Sequence, residues 1–581
     1  MSYSFSPFAD KEIPKSLSMF PELTARLLAN RGLLTEEEAR AFVEPRFEDM
    51  YDPFLMHDME RAVVRIFEAI EAKEKIVIYS DYDCDGIPGG TILHDLFKKI
   101  GYENFENYIP HRHDEGYGLN HEAVDEFIKN GVKLLVTVDL GSTDVEEVAR
   151  AQVGGIDVII TDHHELPPEL PRAFALVNPK VRKNTKTLEH ENTEYFYPDP
   201  MLCGAGVAFK LVQAFLKKYG EYFNVHHGWE KWLLDMAGLG TLSDMVPLRN
   251  ENRIFAYYGL MVLQKTKRPG LVSLLKKMNI EPRRLNEEDI GFMIAPRINA
   301  ASRMDIPMRA FELLSTTDHE HAKTLADHLS RINDDRKTSV AVIMREINKR
   351  FKDREETPLI VVGNPSWNAG VLGLIASKIV ETYNRPAFVW GGETDEGFKG
   401  SCRGDGTVNV VEVMRLTEST FLGFGGHEHA GGFSVSHEKV VILEKALCET
   451  ALALPVREKS THNGIQIDSI LEVKNINSRT LAQIKPLAPF GVGNPRPVFL
   501  LKNVKLCGAR HFGKENNHLE ITICDERDNK IKAIKFFAGI HSFARPLVLG
   551  MYIDLVCTIE ESFFAGKNEI RLRILGIECC G

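Results

Sequence analysis

Three short apolar runs in the first third of the chain each end in acidic or imidazole side chains. The runs span residues 75–80, 134–138 and 157–161 and consist mostly of β-branched and aliphatic residues. Such runs are typical of strands that are buried on both faces of a parallel sheet. Apolar residues at helical spacing lie between them, in residues 92–100, and the box Thr143–Glu146 predicts the capped start of another helix. This alternation predicts a parallel α/β sheet.

The polar residues that follow the runs are predicted to meet in one crevice, because parallel strands joined by right-handed crossovers present their carboxyl ends at the same edge. These residues are Asp81, Asp83, Asp85, Asp139, Asp162, His163 and His164. A locally extended backbone would point the side chains of Asp83 and Asp85 the same way. Carboxylates with imidazoles and no thiolate suit Mg²⁺ or Mn²⁺. The alternative is a set of ordinary strand-end turns, in which Asp and Gly are common.

A second α/β unit is predicted further along the chain, after a polar stretch from Arg182 to Pro200 that is expected to be a surface loop. From Asp318 to Arg354, apolar residues keep a helical period among many charges, which suits a long connecting helix. A strand at 358–362, a helix at 371–383 and a strand at 387–390 follow.

Beyond about residue 464 the pattern becomes all-β, with alternating segments at 518–524, 531–537 and 551–556. Basic and aromatic side chains of this region are candidates for a stacking and phosphate platform for single-stranded nucleic acid. They are Lys532, Lys535, Arg571, Arg573, Phe536, Phe537 and Phe563. The alternative is a domain that only packs, with these aromatic residues in its core.

Composition limits the class of protein. With 581 residues, 44% of them hydrophobic, the chain is long enough for about three or four domains. The net charge of −11 argues against a general electrostatic hold on nucleic acid, although residues 490–581 carry 13 Lys and Arg against 10 Asp and Glu. Nine cysteines without a C-x-x-C pair predict reduced thiols, and no signal peptide is recognisable. We therefore expect a cytoplasmic protein.

Further motifs follow the strand ends along the chain. Together with the acids above, the motif segments are Asp81–Gly86, Arg112 with Glu115–Gly118, Asp139–Gly141, Asp162–His164, Gly238–Asp244 with Glu251–Arg253, Pro296–Ala300 with Arg303, Trp367–Gly373, Lys399–Arg403 and Gly425–Gly431. They resemble the DHH phosphoesterase superfamily and, within it, the RecJ single-strand-specific exonucleases. Three positions depart from the family pattern: Leu140 replaces an amide, Asn368 replaces a histidine, and Ser302 stands where glycine is common.

The resemblance implies a fold and an activity. The implied parts are a helical lead-in (1–45), a parallel-sheet DHH domain that binds metal (46–317), a connecting helix (318–354), a DHH-associated domain that binds substrate (355–463) and an OB-type barrel that binds nucleic acid (464–581). The implied activity is 5′→3′ hydrolysis of single-stranded DNA in repair and recombination, with a single-strand-binding protein and a helicase as partners of a monomer. Two rivals are a DHH enzyme for short oligonucleotides or cyclic dinucleotides and a non-catalytic replication scaffold.

The resemblance also implies roles for residues at a site with two Mn²⁺ or Mg²⁺ ions. One ion would be held by Asp85, Asp139, His163 and Asp244, and the other by Asp83 and Asp139 with Asp81 close by. Asp162 would orient the ring of His163, and His164 would face the phosphate, unless it is simply a buried, hydrogen-bonded imidazole. The implied substrate contacts are Arg112, Arg297, Arg303, Lys399, Arg403, Gly425, Gly426 and His427.

Overall fold

The computed structural model describes residues 3–112, 114–182, 196–352, 356–455, 464–513, 516–539, 542–543, 545–564 and 567–579. Contacts divide the chain into two compact units. The larger unit takes its described residues from 51–246 and 258–461, and the smaller unit takes them from 1–50, 247–257 and 462–581. Most of the stretch from Arg182 to Pro200, for which a surface loop is expected, lies outside the described residues.

The strands and helices are numbered in chain order. The strands are β1 (Tyr3–Phe5), β2 (Lys75–Ser80), β3 (Phe105–Tyr108), β4 (Val132–Val138), β5 (Asp157–Thr161), β6 (Ala175–Val177), β7 (Ile360–Gly363), β8 (Ala387–Thr394), β9 (Gly397–Arg403), β10 (Gly423–His427), β11 (Ala430–Val435), β12 (Ile465–Ile467), β13 (Ser469–Ile470), β14 (Phe499–Phe512), β15 (His518–Cys524), β16 (Lys530–Lys535), β17 (Tyr552–Phe564) and β18 (Lys567–Cys579). The α-helices are α1 (Glu22–Asn30), α2 (Glu36–Val43), α3 (Met59–Glu71), α4 (Gly86–Lys99), α5 (His121–Lys129), α6 (Val145–Val153), α7 (Gly204–Tyr219), α8 (Leu234–Ser243), α9 (Asn250–Leu263), α10 (Pro269–Lys277), α11 (Glu287–Asp289), α12 (Ala295–Met304), α13 (Met308–Ser315), α14 (His319–Phe351), α15 (Leu372–Tyr383), α16 (Val410–Leu416), α17 (Val440–Ala453) and α18 (Ser478–Ile484).

The first sheet of the larger unit is parallel throughout, in the order β3-β2-β4-β5-β6. The three apolar runs form β2, β4 and β5, as the sequence predicts. Residues of these strands are buried on both faces, as Val77 and Leu135 are on one face and Ile78 and Val136 on the other. Burial on both faces explains why the runs are continuously apolar and do not alternate.

The predicted capping box before α6 is wrong. Asp144 precedes the helix, but neither it nor Thr143 makes a side-chain bond to the helix start. The Asp144 carboxylate instead accepts a hydrogen bond from the Leu119 amide at 2.7 Å. A tertiary contact has therefore replaced the local one that the sequence pattern favours.

The long connecting helix and the second α/β unit are confirmed. Helix α14 covers 33 residues and is capped by Asp318, whose carboxylate accepts hydrogen bonds from the amides of Glu320 and His321. The second sheet has the order β10-β11-β9-β8-β7, in which β7 and β8 are parallel and the other neighbours are antiparallel. Helix α15 supplies the predicted crossover between β7 and β8.

The C-terminal strands form the predicted barrel. The order β14-β15-β16-β18-β17 closes because β17 also pairs with β14, which leaves five strands in a ring. The barrel shares one hydrophobic core with the N-terminal segment, since Leu27 and Leu28 of α1 belong to the same buried cluster as Phe499 of β14. Strand β1 also pairs in parallel with β12, which leads into the barrel.

The expectation that all cysteines are reduced is wrong for one pair. A bulge between Leu506 and Gly508 brings Cys507 beside Cys524 on the neighbouring strand, and the two form a disulfide with Cα atoms 6.1 Å apart. A separation of this size is within the range that a disulfide spans.

None of the helices in the described part of the chain combines the length and the apolar character that a membrane-spanning helix needs.

Candidate metal centre and phosphate-binding residues

The register of the first sheet aligns three acidic strand ends. The amide of Asp81 donates to the carbonyl of Val138, that of Asp139 to Thr161, and that of Asp162 to Val177. Each acid therefore directly follows its own strand, and its amide is bonded to the last residue of the neighbouring strand. Asp139 adopts a left-handed backbone conformation, with φ of 66°. Backbone strain of this kind is common at functional sites.

The backbone between Asp81 and Gly86 is a turn, and the expectation of a locally extended segment is wrong. Helix α4 begins at Gly86, so the amides near its start lack partners within the helix. Asp83 Oδ1 accepts hydrogen bonds from the amides of Asp85 at 2.8 Å and Gly86 at 3.2 Å. The turn consequently directs the carboxylates of Asp83 and Asp85 to different parts of the site.

Three groups of side chains could each hold a metal ion, because their ligand atoms lie within 4.8 Å of one another. The groups are Asp81 with Asp83 and Asp139, Asp85 with His163 and Asp244, and Asp139 with His163 and His164. His163 Nε2 lies 3.1 Å from Asp139 Oδ1, 3.7 Å from Asp85 Oδ2 and 3.8 Å from Asp244 Oδ2. Asp139 and His163 are the members shared between groups.

The side chain of Asp162 binds the ring of His164 rather than the ring of His163. Asp162 Oδ1 lies 2.8 Å from His164 Nδ1, and it accepts the backbone amide of His163 at 2.7 Å. The Leu202 backbone acts to raise the pKa of His163, so it faces this ring instead. The expected orienting role of Asp162 therefore falls on the neighbouring imidazole, because the turn after β5 brings Nδ1 of His164 back over the carboxylate.

Asp85 is held by the start of helix α7, a contact that sequence reasoning missed. The amide of Gly204 donates to Asp85 Oδ2 at 2.6 Å, and the amide of Ala205 donates to Oδ1 at 2.9 Å. A Cβ atom on Gly204 would lie 2.5 Å from Asp139 Cβ, and one on Gly240 would lie 2.5 Å from Asp85 Oδ1. The small residues 203–206 at the start of an apolar helix were the available signal, since helix starts bind carboxylates.

The electrostatics of the site call for cations. Burial and then repulsion by Asp83 raise the pKa of Asp81, and burial and then repulsion by Asp85 raise that of Asp139. Burial and repulsion by neighbouring acids likewise raise the pKa of Asp85 to about 6 and that of Asp244 to about 8. Clustered carboxylates favour bound cations for this reason.

Two buried oxygens give a direct test of whether a divalent cation fits. Asp81 Oδ1 and Asp139 Oδ1 accept no hydrogen bond from the part of the chain that the structure describes. Burial, and then the charge of His164, lower the pKa of His163 to about 3, so its ring is neutral. The neutral ring nitrogen His163 Nε2 lies 3.1 Å from Asp139 Oδ1, and other carboxylates surround the two atoms. This combination of an imidazole and several carboxylates matches the ligands of Mn²⁺ or Mg²⁺.

Four arginines from distant parts of the chain lie close together near Asp83. Burial lowers the pKa of Arg303 to about 10, and the charges of Arg112, Arg336 and Arg403 also act to lower it, while Asp83 acts in the opposite direction. The guanidinium of Arg112 stacks on the buried Tyr82 ring, 4.8 Å from its centroid. Arg336 lies on α14 and was missed, because one more cation on a charged helix face gives no signal.

Contacts orient the other two guanidinium groups within this cluster. Arg303 Nη1 donates to the Gly370 carbonyl at 3.3 Å. Arg403 Nη1 donates to the Cys402 carbonyl at 2.7 Å and to Ser401 Oγ at 3.2 Å. We call Arg112, Arg303, Arg336 and Arg403 the arginine cluster.

Arg297 and Lys399 have other partners. Arg297 is buried between α12 and α14, and it donates to the Met293 carbonyl at 2.7 Å and to Ser330 Oγ at 3.4 Å. The ammonium group of Lys399 is exposed and lies 3.4 Å from Ser434 Oγ on the adjacent strand. Burial, and then the charge of Arg297, lower the pKa of Arg336, so Arg297 lies beside a member of the arginine cluster.

The glycines and the histidine of the predicted substrate loop form a hairpin at the edge of the second sheet. Gly425, Gly426 and His427 lie on β10, and His427 is paired with Ala430 of β11. Ala430 is in turn paired with Arg403 of β9. Two strand spacings of about 4.8 Å therefore separate the backbones of His427 and Arg403.

The three departures from the family pattern serve local structure. Leu140 is fully buried in the core beneath the sheet edge. The Asn368 side chain accepts the amide of Gly370 at 2.7 Å and caps the short helix before α15. Ser302 is buried and its hydroxyl donates to the Asn299 carbonyl at 3.2 Å.

The candidate platform on the barrel is more aromatic than basic. Lys532 pairs with Glu569 at 2.9 Å, and Arg571 pairs with Glu560 at 2.5 Å. Phe537, in contrast, is 81% exposed, and Phe536 is 38% exposed. Lys535 donates to the Leu575 carbonyl, and Arg573 lies 5.7 Å from the Phe536 ring centroid. The side chain of Phe563 lies outside the described residues.

Models of three protein families match successive parts of this chain. The DHH family N-terminal domain matches residues 75–241, the DHHA1 domain matches 356–451, and the RecJ OB domain matches 467–576. The fold and its strand-end acids thus define a DHH-type protein with a metal centre.

Comparisons with whole proteins are more specific. The chain is 37% identical over 567 residues to the single-stranded-DNA-specific exonuclease RecJ of Bacillus subtilis (strain 168), a match that covers 97% of this chain and 69% of that protein. It is 32% identical to the protein of the same name from Haemophilus influenzae, with 98% of each covered. The crystal structure of RecJ from Thermus thermophilus in complex with Mn²⁺ has the same fold, with a TM-score of 0.78, 24% identity, and coverage of 100% of this chain and 78% of that one. The chain belongs to the RecJ family.

Proposed function

We propose that the protein is a metal-dependent exonuclease that hydrolyses single-stranded DNA from its 5′ end, in DNA repair and recombination. The observation that carries this proposal is the position of His163 Nε2, which lies 3.1 Å from Asp139 Oδ1. These two residues are shared among the three ligand groups. Relatives named single-stranded-DNA-specific exonuclease support the substrate. The 5′→3′ direction rests on the family resemblance.

Two Mn²⁺ or Mg²⁺ ions fit the ligand groups. Asp85, Asp139, His163 and Asp244 would hold one ion, and Asp81, Asp83 and Asp139 would hold the other. When bound, such a pair of ions activates water and stabilises charge on a phosphoryl group. The relative from Thermus thermophilus was crystallised with Mn²⁺.

The residues of the chain itself would bind and orient the DNA. Guanidinium groups of the arginine cluster match phosphate oxygens in shape and charge. Burial, and then the charges of three neighbouring arginines, lower the pKa of Arg303, and a bound phosphate would relieve the repulsion between these charges. This supports phosphate recognition next to Asp83.

His164 would hold a proton near the reacting phosphate. Burial acts to lower its pKa, but the hydrogen bond and charge of Asp162 raise it to about 9. The ring is partly exposed, and the Tyr117 hydroxyl lies 3.2 Å from Nδ1. A protonated His164 can donate a hydrogen bond to a phosphate oxygen, while Asp162 keeps the ring in place.

End-labelled oligonucleotides test this function. We expect the release of nucleotides from a 5′-labelled single strand with Mn²⁺ or Mg²⁺, no cleavage with EDTA, and little cleavage of a blunt duplex. Cleavage that begins at the 3′ end would refute the direction. Preference for a dinucleotide over long strands would favour the rival DHH enzyme, and metal binding without any hydrolysis would favour the scaffold.

We also propose a role for each domain, a cellular location and partner proteins. We assign metal binding to residues 46–317, substrate binding to 355–463 and nucleic-acid binding to 464–581, joined by the helix of 318–354 and preceded by the lead-in of 1–45. A cytoplasmic monomer that works with a single-strand-binding protein and a helicase fits this function. Pull-down with purified partners and light scattering would test these points.

A further inference from the structure

Arg268 binds two carboxylates at a distance from the metal ligands. Its Nε donates to Asp235 Oδ2 at 2.5 Å, and its Nη2 donates to Asp95 Oδ2 at 2.7 Å and to Asp235 Oδ1 at 3.2 Å. Nη1 donates to the Leu314 carbonyl at 3.3 Å, at the end of α13. The side chains of Arg268 and Asp235 are 18% and 6% exposed, so this pairing is largely shielded from water.

The two carboxylates belong to helices that carry metal-site residues at their other ends. Asp95 lies on α4, which begins directly after Asp85, and Asp235 lies on α8, which ends directly before Asp244. At about 1.5 Å per residue, Arg268 binds each helix about 14–15 Å from its metal-site end. Helices α4 and α8 therefore run antiparallel. Arg268 joins them on the side away from the metal centre, and their other ends lie at the metal centre.

The metal-site ends of these helices fit together closely. Ser243 Oγ of α8 donates to the Cys84 carbonyl at 2.6 Å, just before α4. A Cβ atom on Gly240 of α8 would come within 2.5 Å of Asp85 Oδ1. Packed helices shift as rigid bodies, so a change in their separation at one end would displace ligand atoms at the other.

We propose that Arg268 is a positioning residue for the metal centre, which sets the separation of Asp85 and Asp244 by joining the far ends of α4 and α8. The proposal rests on the proposed two-metal function and adds a residue that acts through others. Without the guanidinium group, Asp95 and Asp235 would face each other as mostly buried carboxylates without a cationic partner. Their repulsion would push the two helices apart at that end.

Arg65 offers a matched control in the same unit. It too is buried and binds two carboxylates, Glu74 and Asp157, each at 2.6 Å. Glu74 and Asp157 lie at the amino ends of β2 and β5, on the sheet edge opposite the metal centre. Replacement of Arg65 should therefore lower stability without moving a metal ligand.

The experiment compares Arg268→Ala and Arg65→Ala with the wild-type full-length protein. Mn²⁺ affinity is measured by calorimetry, and kcat and KM are measured on an end-labelled single strand. For Arg268→Ala we expect about 10–100-fold weaker Mn²⁺ binding and a similar fall in kcat. KM for DNA should stay within about twofold, because no DNA contact is removed. Arg65→Ala should lower Tm while both metal affinity and kcat stay near wild type.

Chemical rescue separates positioning from general stability. Asp95, Asp235 and Arg268 line a cavity of about 430 Å³, together with Trp232, Lys265 and Leu314. Guanidinium ion at millimolar concentration should enter this space in Arg268→Ala and restore Mn²⁺ affinity and kcat. In Arg65→Ala it should change neither quantity, because both are expected to be near wild type already. Arg268→Lys, which retains a charge but not the fork, should fall between the wild type and Arg268→Ala.

Three results would overturn the inference. They are wild-type Mn²⁺ affinity and kcat in Arg268→Ala, equal losses in the Arg65 control, and failure of guanidinium to rescue a folded Arg268→Ala. If Arg268→Ala does not fold, Arg268→Lys with unchanged metal affinity would overturn it equally. Failure of the wild-type protein to bind Mn²⁺ or to cleave DNA would instead count against the proposed function.

Discussion

The first sheet and the C-terminal barrel use β-strands in opposite ways. In the sheet, parallel strands β2, β4 and β5 end side by side, and Asp81, Asp139 and Asp162 follow them in a row. In the barrel, antiparallel and parallel strands close into a ring. The side chains that are candidates for binding nucleic acid lie on the faces of these strands and in a loop. Many of the basic groups there are already paired with acids, as Lys532 is with Glu569.

The difference predicts how each region tolerates substitution. Ligands that converge on one point depend on each other, so the loss of a shared ligand should remove the function of the whole site. Contacts that are spread along a surface should add small, separate contributions that grow with the length of the bound strand. The following experiments test this contrast.

The largest effect is expected from Asp139→Ala. Asp139 belongs to two of the three ligand groups, so its loss should leave neither proposed ion properly held. Because bound metal stabilises the transition state by several kcal/mol, hydrolysis should fall by about 10³-fold or more. Cleavage of an end-labelled single strand and Mn²⁺ stoichiometry measure this, and DNA binding should largely persist. Asp125→Asn, which removes a partly exposed carboxylate bound by Arg150, is the control, and substantial activity in Asp139→Ala would refute the shared-ligand assignment.

The parallel sheet and its ligands were predictable because they depend on local rules. Apolar runs mark the strands, the alternation with helices makes them parallel, and topology then aligns their ends. The turn from Asp81 to Gly86 was not predictable in the same way, since its shape depends on where α4 begins. The binding of Asp162 to His164 likewise depends on the conformation of one turn.

Residues that meet only through the tertiary fold were harder to find. Gly204 and Ala205 hold Asp85 from about 120 residues away in the chain. Arg336 joins the arginine cluster from the middle of a long helix whose sequence shows only a charged face. On the barrel, pairing with Glu560 and Glu569 depends on strand register, which alternation alone does not fix.

An intermediate effect is expected from Arg403→Ala. A charge-assisted hydrogen bond to phosphate contributes about 1.5–3 kcal/mol, so KM for single strands should rise by about 10-fold or more. The slope of log affinity against log salt should flatten by about 0.7, as for one lost phosphate contact on a single strand. Arg415→Ala is the control, because it removes an exposed guanidinium of α16 that does not belong to the arginine cluster. Equal effects of the two substitutions would mean that the arginine cluster does not select phosphate.

A smaller effect concerns stability without metal. The pKa values of Asp85 and Asp244 are raised to about 6 and about 8, above their values in the unfolded chain. Between about pH 4, where such carboxyls titrate in the unfolded chain, and about pH 8, the folded state therefore holds protons that the unfolded chain has released, and it loses stability as these carboxylates ionise and repel each other. In EDTA, Tm should fall across this window, by roughly 2–4 °C for each kcal/mol of repulsion.

Thermal unfolding with and without Mn²⁺ measures this repulsion. Added Mn²⁺ should raise Tm more at pH 8 than at pH 6, since the ion neutralises the carboxylates that repel each other. Asp244→Asn should reduce the pH dependence in EDTA, because one of the carboxylates that titrate in the cluster is gone. A Tm in EDTA that rises across the window would contradict the assigned direction of the pKa shifts.

The smallest effect is expected on the barrel, at Phe537. Its ring is 81% exposed although its backbone is held in the left-handed region, with φ of 53°, which bulky residues rarely adopt. Its amide donates to His518 Nδ1 at 3.1 Å, and its ring meets the His518 ring edge to face at 4.9 Å. An aromatic ring kept exposed at the expense of backbone strain is suited to stacking on a base.

Phe537→Ala should therefore weaken binding to a long single strand by about 1 kcal/mol, or roughly fivefold, at the low end for one base stack. Cleavage of a dinucleotide should not change, because no metal ligand or member of the arginine cluster lies on the barrel. Fluorescence anisotropy with oligonucleotides of increasing length measures the effect, and Val153→Ala, a similarly exposed apolar position on α6, is the control. Substitution is preferable to removal of residues 465–581, because the N-terminal helices share the core of the barrel and would lose their packing with it. If Phe537→Ala affects the dinucleotide as strongly as the long strand, the barrel does not act as a separate binding surface and the contrast with the sheet edge fails.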